Sequence, residues 1–197
     1  MPKSVDVKFF FNFRSPYCYI VSKLLPGIFD DFDVNLQWRP LAGWDGRSPP
    51  ERAKVKIPLV RQDMARITRK MGIPMNPPPP TTEPTKAAAG SLLAEEKGVL
   101  RPYIVAMMAA EWARGQDIGD ESVILSVGES VGLGRAELAA ALDAPERLAQ
   151  LAQHGEEALS LGVIGVPAFV VGEEVFWGAD RVEYLRDHLR ELRLSIY

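Results

Sequence analysis

The stretch FFFNFRSPYCYIVSKLL, residues 9–25, joins a predicted buried strand to a predicted helix. The strand begins further back, in VDVKFFF, whose alternating and then continuous apolar residues are typical of a central strand. Pro16 stands where the first residue of a helix is expected, and Ser15 before it is a residue type that caps helices. The helix is predicted to run to Leu25 and to stop at the Pro-Gly pair that follows.

The rest of the chain supplies the other elements of a small mixed sheet. VNLQWRPL, residues 34–41, predicts a second strand that lies parallel to the first, because a helix joins the two. Near the other end, Ala168–Val171 and Val175–Trp177 predict two strands joined by a tight turn, and such strands are antiparallel. A terminal helix follows. This βαβ and ββα order predicts an α/β fold whose thioredoxin-like domain is formed by residues 1–47 and 153–197.

An all-α helical insertion, residues 48–152, is predicted to interrupt that domain. From Thr85 onward the pattern is helical, with breaks at glycines and at Pro145. The charged segment from Ser48 to Met71 is expected to be helical in its second half.

Between these helical parts lies IPMNPPPPTTEP, residues 73–84, which cannot form a helix. Four consecutive prolines favour a stiff extended segment. Two interpretations follow, a surface loop and a recognition motif for a partner domain, and the composition favours the loop.

Composition limits the class of protein. The 197 residues carry a formal net charge of -3 with both signs interspersed, which argues against nucleic acid as a partner. No apolar run approaches the roughly 18 residues that span a bilayer, and the N-terminus lacks a signal peptide's apolar stretch, so we expect a cytoplasmic protein without a membrane partner. The single cysteine, Cys18, excludes an intramolecular disulfide, and both histidines lie far from it, so no metal site is predicted.

The motifs, taken in order, resemble a known family. Ser15-Pro-Tyr-Cys at a helix start, the helical insertion, GVPAFVV at residues 165–171, FWGADR at residues 176–181 and the terminal helix resemble the DsbA-like branch of the thioredoxin superfamily. More closely they resemble its glutathione-dependent members, the 2-hydroxychromene-2-carboxylate isomerases and the kappa-class glutathione transferases. The likeness covers nearly the whole chain. It implies glutathione as the cofactor, a small-molecule substrate and a homodimer.

Ser15 is the candidate catalytic residue. Disulfide oxidoreductases of this fold need a thiolate of low pKa at the first position of C-x-x-C, where the helix N-terminus stabilises it. Ser15 occupies that position, so dithiol exchange within this chain is impossible. Its hydroxyl can donate a hydrogen bond to a thiolate that a ligand brings, and the resemblance implies that this ligand is glutathione. The alternative is that Ser15 only caps the helix, which is worth about 1 kcal/mol.

Two further motifs are implied to hold the rest of glutathione. In the resembled families the bond between Val166 and Pro167 is cis, which implies that the main chain of Val166 binds the cysteinyl part. Free N–H groups around Ala179 suit a carboxylate, and Asp180 suits an amino group, so together they fit a γ-glutamyl moiety. The alternative for Asp180 is a plain helix cap.

Four more residues are candidates for contact with glutathione or with the substrate. Lys56 stands seven positions before Asp63, a spacing that the family shares, which implies contact with the glycyl carboxylate or with an anionic substrate. Lys54 is an equal candidate on composition, and a solvated surface charge is the alternative for both lysines. Tyr17 is implied to line the substrate site, the alternative being a packed aromatic, and Trp38 flanks the same region.

Cys18 has a structural and a chemical interpretation. A small residue one turn into such a helix usually packs against the sheet, whereas a redox or adaptor role requires an exposed and reactive thiol. We expect a glutathione-dependent isomerase that acts on electrophilic substrates derived from aromatic-compound catabolism. The alternatives are a kappa-class-like glutathione transferase and a redox or binding protein that uses Cys18 alone.

Overall fold

A computed structural model describes residues 4–43 and 50–196 of the chain. Their strands form one four-stranded sheet in the order β2-β1-β3-β4. The strands are β1, Val5–Phe11; β2, Val34–Pro40; β3, Ala168–Val171; and β4, Glu174–Trp177. β1 is parallel to β2 and antiparallel to β3, which is antiparallel to β4. The predicted βαβ and ββα units and the α/β thioredoxin-like fold are confirmed.

Eight α-helices lie within the described residues. They are α1, Pro16–Ile28; α2, Pro50–Met71; α3, Thr85–Glu96; α4, Leu100–Met108; α5, Glu121–Ser130; α6, Arg135–Leu142; α7, Pro145–Ser160; and α8, Val182–Glu191. A π-helical turn, Ala109–Ala113, continues α4, and a 3-10 turn, Ala179–Arg181, precedes α8. In the part of the chain that the structure describes, no helix combines the length and the apolar character that crossing a membrane requires.

The two faces of the sheet carry different cores, because side chains alternate along β1 and β3 as the pleat requires. One face packs against α1, α8 and the inserted helices, and its residues on these two strands are Val7, Phe9, Phe11, Phe169 and Val171. The other face packs against α7, and its residues are Phe10, Ala168 and Val170. Both faces are therefore covered, which explains why these strands read as continuous apolar runs.

Two helices differ from the sequence prediction. α1 continues past Pro26 to Ile28, because a proline near a helix end removes only one backbone hydrogen bond and Ile28 gains burial in the core. α2 is helical from Pro50 onward rather than in its second half only, and it contains Pro58. Its many Glu, Lys, Arg and Gln residues favour the helix enough to tolerate that proline.

Helix α7 runs through one of the predicted domain boundaries. It spans Pro145–Ser160, so the predicted return to the thioredoxin-like domain at residue 153 falls inside a helix. The imidazole of His154 lies 3.1 Å from the carbonyl oxygen of Pro40, and Glu157 pairs with Lys8 at 2.7 Å, so the second half of α7 is attached to the sheet. The other predicted boundary, between residues 47 and 48, lies outside the described residues.

The proline-rich segment is a loop that lies against the π-helical turn. The main-chain N–H of Asn76 donates to the carbonyl of Trp112, and its side-chain amide donates to the carbonyl of Ala113, both at 2.7 Å. Pro78 is buried. The segment is therefore held by the protein's own helices, as the loop interpretation requires.

The inserted helices α3 and α4 approach each other closely at Gly90. A methyl group added there would lie 2.5 Å from the hydroxyl oxygen of Tyr103, which is fully buried and donates to the carbonyl of Ala87 at 3.0 Å. This contact requires a residue without a side chain.

Gly90→Ala is expected to lower the free energy of unfolding by about 1–3 kcal/mol, because Tyr103 must move and weaken its hydrogen bond. Urea denaturation measures the change. Gly27→Ala is the matched control, since among the described residues no atom beyond the adjoining helix backbone lies within 4 Å of the added methyl group. It should raise stability by up to about 1 kcal/mol. Equal losses in both variants would contradict the close contact.

Candidate active site at the first turn of α1

The turn between β1 and α1 is fixed by Asn12. This side chain is 5% exposed, and its amide donates to the carbonyls of Leu41 and Gly43 at 3.1 and 3.2 Å. Its own oxygen accepts from the main-chain N–H of Arg14 at 2.8 Å. The N–H of Ser15 donates to the main-chain carbonyl of Asn12 at 3.1 Å. Ser15 therefore enters the helix from a turn that is tied to the end of β2.

Ser15 caps α1, as predicted, and its hydroxyl is only weakly engaged. Its backbone is extended, with φ -94° and ψ 118°, and Oγ accepts from the N–H of Cys18 at 3.4 Å. The hydroxyl donates to the carbonyl of Val166 at 3.3 Å. Both distances are long for hydrogen bonds. A ligand atom with a stronger negative charge can therefore replace the carbonyl as acceptor at little cost.

The second predicted segment lies directly opposite Ser15. The bond between Val166 and Pro167 is cis, and the carbonyl of Val166 is the acceptor of the Ser15 hydroxyl. The carbonyl of Pro167 accepts from the N–H of Gly178 at 2.9 Å. This bond connects the segment to the start of the GADR sequence.

The 3-10 turn that contains Ala179 and Asp180 packs against α1. Gly178 before it has φ +119°, a conformation that glycine adopts readily and other residues avoid. The carboxylate of Asp180 is exposed and lies 3.4 Å from Arg181. No side chain caps this turn or α8, so the alternative role of Asp180 as a helix cap finds no support.

Tyr17 connects α1 to α2. Its hydroxyl donates to Asp63 Oδ2 at 3.2 Å, and the other oxygen of Asp63 pairs with Arg66 at 2.6 Å. Burial, followed by the charge of Asp63 and a smaller effect of Asp180, raises the pKa of Tyr17 to about 12. The hydrogen bond from Arg66 lowers the pKa of Asp63. At neutral pH the site therefore presents a protonated phenol beside an ionised carboxylate.

The two lysine candidates lie on different faces of α2. Lys56 is exposed and stands two helical turns before Asp63, which places it on the same face, roughly 10 Å further along the helix axis. Lys54 is also exposed and pairs with Glu51 at 2.9 Å. Since side chains two positions apart diverge around a helix, only Lys56 shares the face that meets Tyr17.

Trp38 is a core residue. Its side chain is 8% exposed, and its ring packs edge-on against Phe9 and Phe11, with centroid distances of 5.8 and 6.3 Å. These contacts place Trp38 in the buried core on the same side of the sheet as α1, so the predicted role of Trp38 in substrate binding finds no support. The reason is that β2 turns this alternate position inward.

Cys18 is buried behind the site. Its side chain is 1% exposed, and burial raises the pKa of the thiol to about 12. Hydrogen bonds from Asn12 and Ser15 lower the pKa, but they do not offset the loss of hydration. The thiol is therefore protonated at neutral pH, in agreement with the structural interpretation of this residue.

An ion pair beneath the turn was missed by sequence reasoning. Arg14 Nη1 lies 3.5 Å from an oxygen of Glu111, which is fully buried in the π-helical turn. The two residues are 97 positions apart, so no local pattern connects them. One signal was present, because Glu111 is the sole carboxylate in the apolar run PYIVAMMAAEW, residues 102–112. A buried carboxylate calls for a polar or charged partner, and Arg14 is one such partner.

Two surface cavities, of about 280 and about 700 Å³, lie along α7. The smaller is largely apolar and reaches Gly165, and the larger is lined by Arg39, His154 and Glu157 among others. Ser15 lines neither of them. Over residues 4–43 and 50–196, no group of three or more His, Cys, Asp or Glu side chains is placed to hold a metal ion. The candidate site is thus defined by its hydrogen-bonding groups and by the helix N-terminus.

Comparison with known proteins gives consistent matches over nearly the whole chain. A relative named 2-hydroxychromene-2-carboxylate isomerase, from Sphingobium xenophagum, is 26% identical over 96% of this chain and 99% of its own. Glutathione S-transferase kappa 1 from Homo sapiens is 25% identical over 97% of this chain and 92% of its own. The structure also superposes on a solved 2-hydroxychromene-2-carboxylate isomerase with a TM-score of 0.83, at 23% identity and covering 95% of this chain and 96% of that one.

The solved isomerase establishes a shared fold. The sequence shows more than the fold, because the family model described as a DSBA-like thioredoxin domain matches residues 6–190. The chain belongs to the DSBA-like thioredoxin domain family.

Proposed function

We propose that this protein is a glutathione-dependent isomerase of the 2-hydroxychromene-2-carboxylate isomerase type. One observation carries the proposal. Ser15 caps the helix at the position where a redox member of the family has its thiolate, and the chain's single thiol, Cys18, is buried and protonated behind it. The site is thus suited to stabilise a thiolate, yet the chain has no reactive thiol to place there. A ligand must bring the thiol.

The residues present fit glutathione. A thiolate placed near Ser15 Oγ would accept the hydrogen bond that the hydroxyl now donates to the carbonyl of Val166, and it would lie at the positive end of α1. The main chain of Val166 and the ring of Pro167 would hold the cysteinyl part. Ala179 N–H would bind the γ-glutamyl carboxylate, and the exposed carboxylate of Asp180 would bind its amino group.

The remaining part of glutathione would extend toward α2. Its glycyl carboxylate carries a negative charge, and Lys56 lies exposed on the helix face that meets Tyr17. An exposed ion pair of this kind contributes little affinity by itself, so Lys56 would chiefly set orientation. Lys54 is a weaker candidate, because it already pairs with Glu51.

When bound, glutathione would supply a thiol nucleophile for reversible addition to an electrophilic carbon of an aromatic-derived enone, so that a bond could rotate or a ring open before the thiol is released unchanged. Ser15 lowers the energy of the thiolate by donating a hydrogen bond to it. Tyr17 would line the substrate side as a phenol that stays protonated at neutral pH, because its pKa is raised to about 12. Splitting a slow isomerisation into an addition and an elimination is the advantage of covalent catalysis.

A kappa-class-like glutathione transferase is the second candidate, since the human relative carries that name and would use the same residues. The fate of glutathione separates the two. An isomerase returns all added glutathione in free form, whereas a transferase consumes it and forms a conjugate that mass spectrometry detects. The homodimer and the cytoplasmic location stay predictions.

Ser15→Ala is expected to reduce kcat/KM by about 10- to 150-fold, because the thiolate loses a charge-assisted hydrogen bond worth about 1.5–3 kcal/mol. The assay is isomerisation of a hydroxychromene carboxylate with saturating glutathione. Ser22→Ala is the matched control on the same helix, since the buried Ser22 hydroxyl donates to the carbonyl of Tyr19 within α1 at 2.7 Å. Activity of Ser15→Ala within twofold of the original would mean that Ser15 is only a cap.

Cys18 is expected to react with a thiol reagent at about pH 8 more than about 100-fold slower in the native protein than in denaturant. With a pKa of about 12 its thiolate fraction is on the order of 10⁻⁴, against roughly a quarter for an unfolded cysteine. Burial also blocks access. Stopped-flow absorbance measurements with Ellman's reagent give both reaction rates. Rapid labelling of the native protein would instead favour a redox or adaptor role.

A further inference from the structure

The Arg14–Glu111 ion pair lies immediately behind the turn that carries Ser15. Glu111 is fully buried, and the side chain of Arg14 is 13% exposed. Burying two charges costs more hydration energy than their attraction usually returns, and apolar residues of similar size often stabilise a protein equally well. Stability alone therefore does not account for charges at this position.

We propose that Arg14 and Glu111 are positioning residues that allow a thiolate to form at Ser15: Glu111 holds the guanidinium next to the turn, and the positive charge of Arg14 offsets the repulsion between that carboxylate and the thiolate. The inference deepens the proposed glutathione site and rests on it. It adds to that site two charges that do not touch the ligand.

The guanidinium of Arg14 is held from three directions. Nη1 faces Glu111 at 3.5 Å, Nη2 donates to the carbonyl of Pro80 at 3.2 Å, and the group lies 5.9 Å from the ring centre of Trp112. The indole N–H of Trp112 donates to the carbonyl of Phe13 at 2.8 Å. The π-helical turn and the proline-rich loop thus both contact the residues just before Ser15. This arrangement fixes the positive charge relative to the first turn of α1.

The charge of Glu111 reaches the first turn of α1. It contributes to the raised pKa of Cys18, although burial is the larger cause. A thiolate beside Ser15 Oγ, one helical turn from Cys18, would experience the same repulsion, and the positive charge of Arg14 opposes it. Among the described residues, charged or titratable groups on the elements that pack against α1 include Asp63 on α2, which accepts from Tyr17, and Asp180 and Arg181 on the 3-10 turn, with Lys56 further along α2.

The buried Arg14–Glu111 pair and the exposed charges differ in how strongly solvent screens their electric fields. Lys56, Asp180 and Arg181 are exposed, so water and salt screen their fields. Glu111 is shielded from water, and its field is therefore screened much less. Changing either member of the buried pair should thus have a larger effect on a thiolate than changing an exposed charge at similar range.

The test uses a thiol introduced by Ser15→Cys, so that it does not depend on glutathione. The background is Cys18→Ala, because thiols at positions 15 and 18 would recreate a C-x-x-C pair and could form a disulfide. The pKa of the introduced thiol is read from the rate of iodoacetamide alkylation as a function of pH. Circular dichroism verifies that each variant is folded.

The two charge changes should act in opposite directions. Glu111→Gln leaves Arg14 uncompensated and should lower the pKa of the introduced thiol by about 1, which is about tenfold in the thiolate-to-thiol ratio. Arg14→Gln removes the guanidinium that faces Glu111, so a positive charge near the introduced thiol is lost and its pKa should rise by a similar amount. The double variant should return to within about 0.3 of the starting pKa, because the two charges cancel.

Arg147 and Glu96 provide the matched control pair. The side chain of Arg147 is also 13% exposed and lies 2.8 Å from Glu96, but this pair joins α7 to the end of α3 rather than to the active-site turn. Arg147→Gln and Glu96→Gln should leave the pKa of the introduced thiol unchanged.

An unchanged pKa in both Glu111→Gln and Arg14→Gln would overturn the inference and leave a structural pair. Shifts in the same direction would also overturn it, since loosening of the turn rather than charge would then be the cause. If Arg14→Gln does not fold, Glu111→Gln decides alone, because glutamine keeps the shape and an acceptor oxygen. Wild-type protein that binds no glutathione would refute the proposed function while the thiol measurements still decide this point.

Discussion

The free N–H groups at the start of α1 need an acceptor, and the way in which this need is met determines the rest of the site. In a redox member of the family, the partial positive charge at the N-terminus of the helix stabilises a thiolate at this position. Here the Ser15 hydroxyl caps the helix with a long hydrogen bond and donates a second long one to the carbonyl of Val166. The helix field thus remains available to a negative atom that does not belong to the chain.

The surrounding structure holds this turn rigidly while leaving its ligand side open. Asn12 ties the turn to the end of β2, and Arg14 ties it to the π-helical turn and to the proline-rich loop. The Asn12 side chain is buried, and Arg14 faces the fully buried Glu111. The exposed carboxylate of Asp180 stands on the 3-10 turn that packs against α1, and the hydroxyl of Tyr17 on α1 donates to Asp63. Preorganised groups around an accessible site are what stabilisation of a developing charge requires.

Local patterns predicted the parts of this structure that neighbouring residues decide. Ser15 followed by proline predicted the helix start, and the tight turn after β3 predicted an antiparallel hairpin, because capping and turn chemistry act over a few residues. Trp38 was placed near the substrate for its position in the chain, but the pleat turns it into the core. The Arg14–Glu111 pair lay beyond local reasoning, since tertiary packing joins residues 97 positions apart. Helix α2 exceeded its predicted length because one proline in a charged segment costs less than a full break.

The central claim is that the site borrows a thiol, and calorimetric titration of the wild-type protein with reduced glutathione at neutral pH tests it most directly. The account predicts saturable binding, an increase in thiolate absorbance on binding, and weaker binding of S-methylglutathione, which cannot ionise. Absence of binding at millimolar glutathione would contradict the account. So would equal affinity for the two ligands without a thiolate signal, because the Ser15 hydroxyl would then make no contribution to holding a charged sulfur.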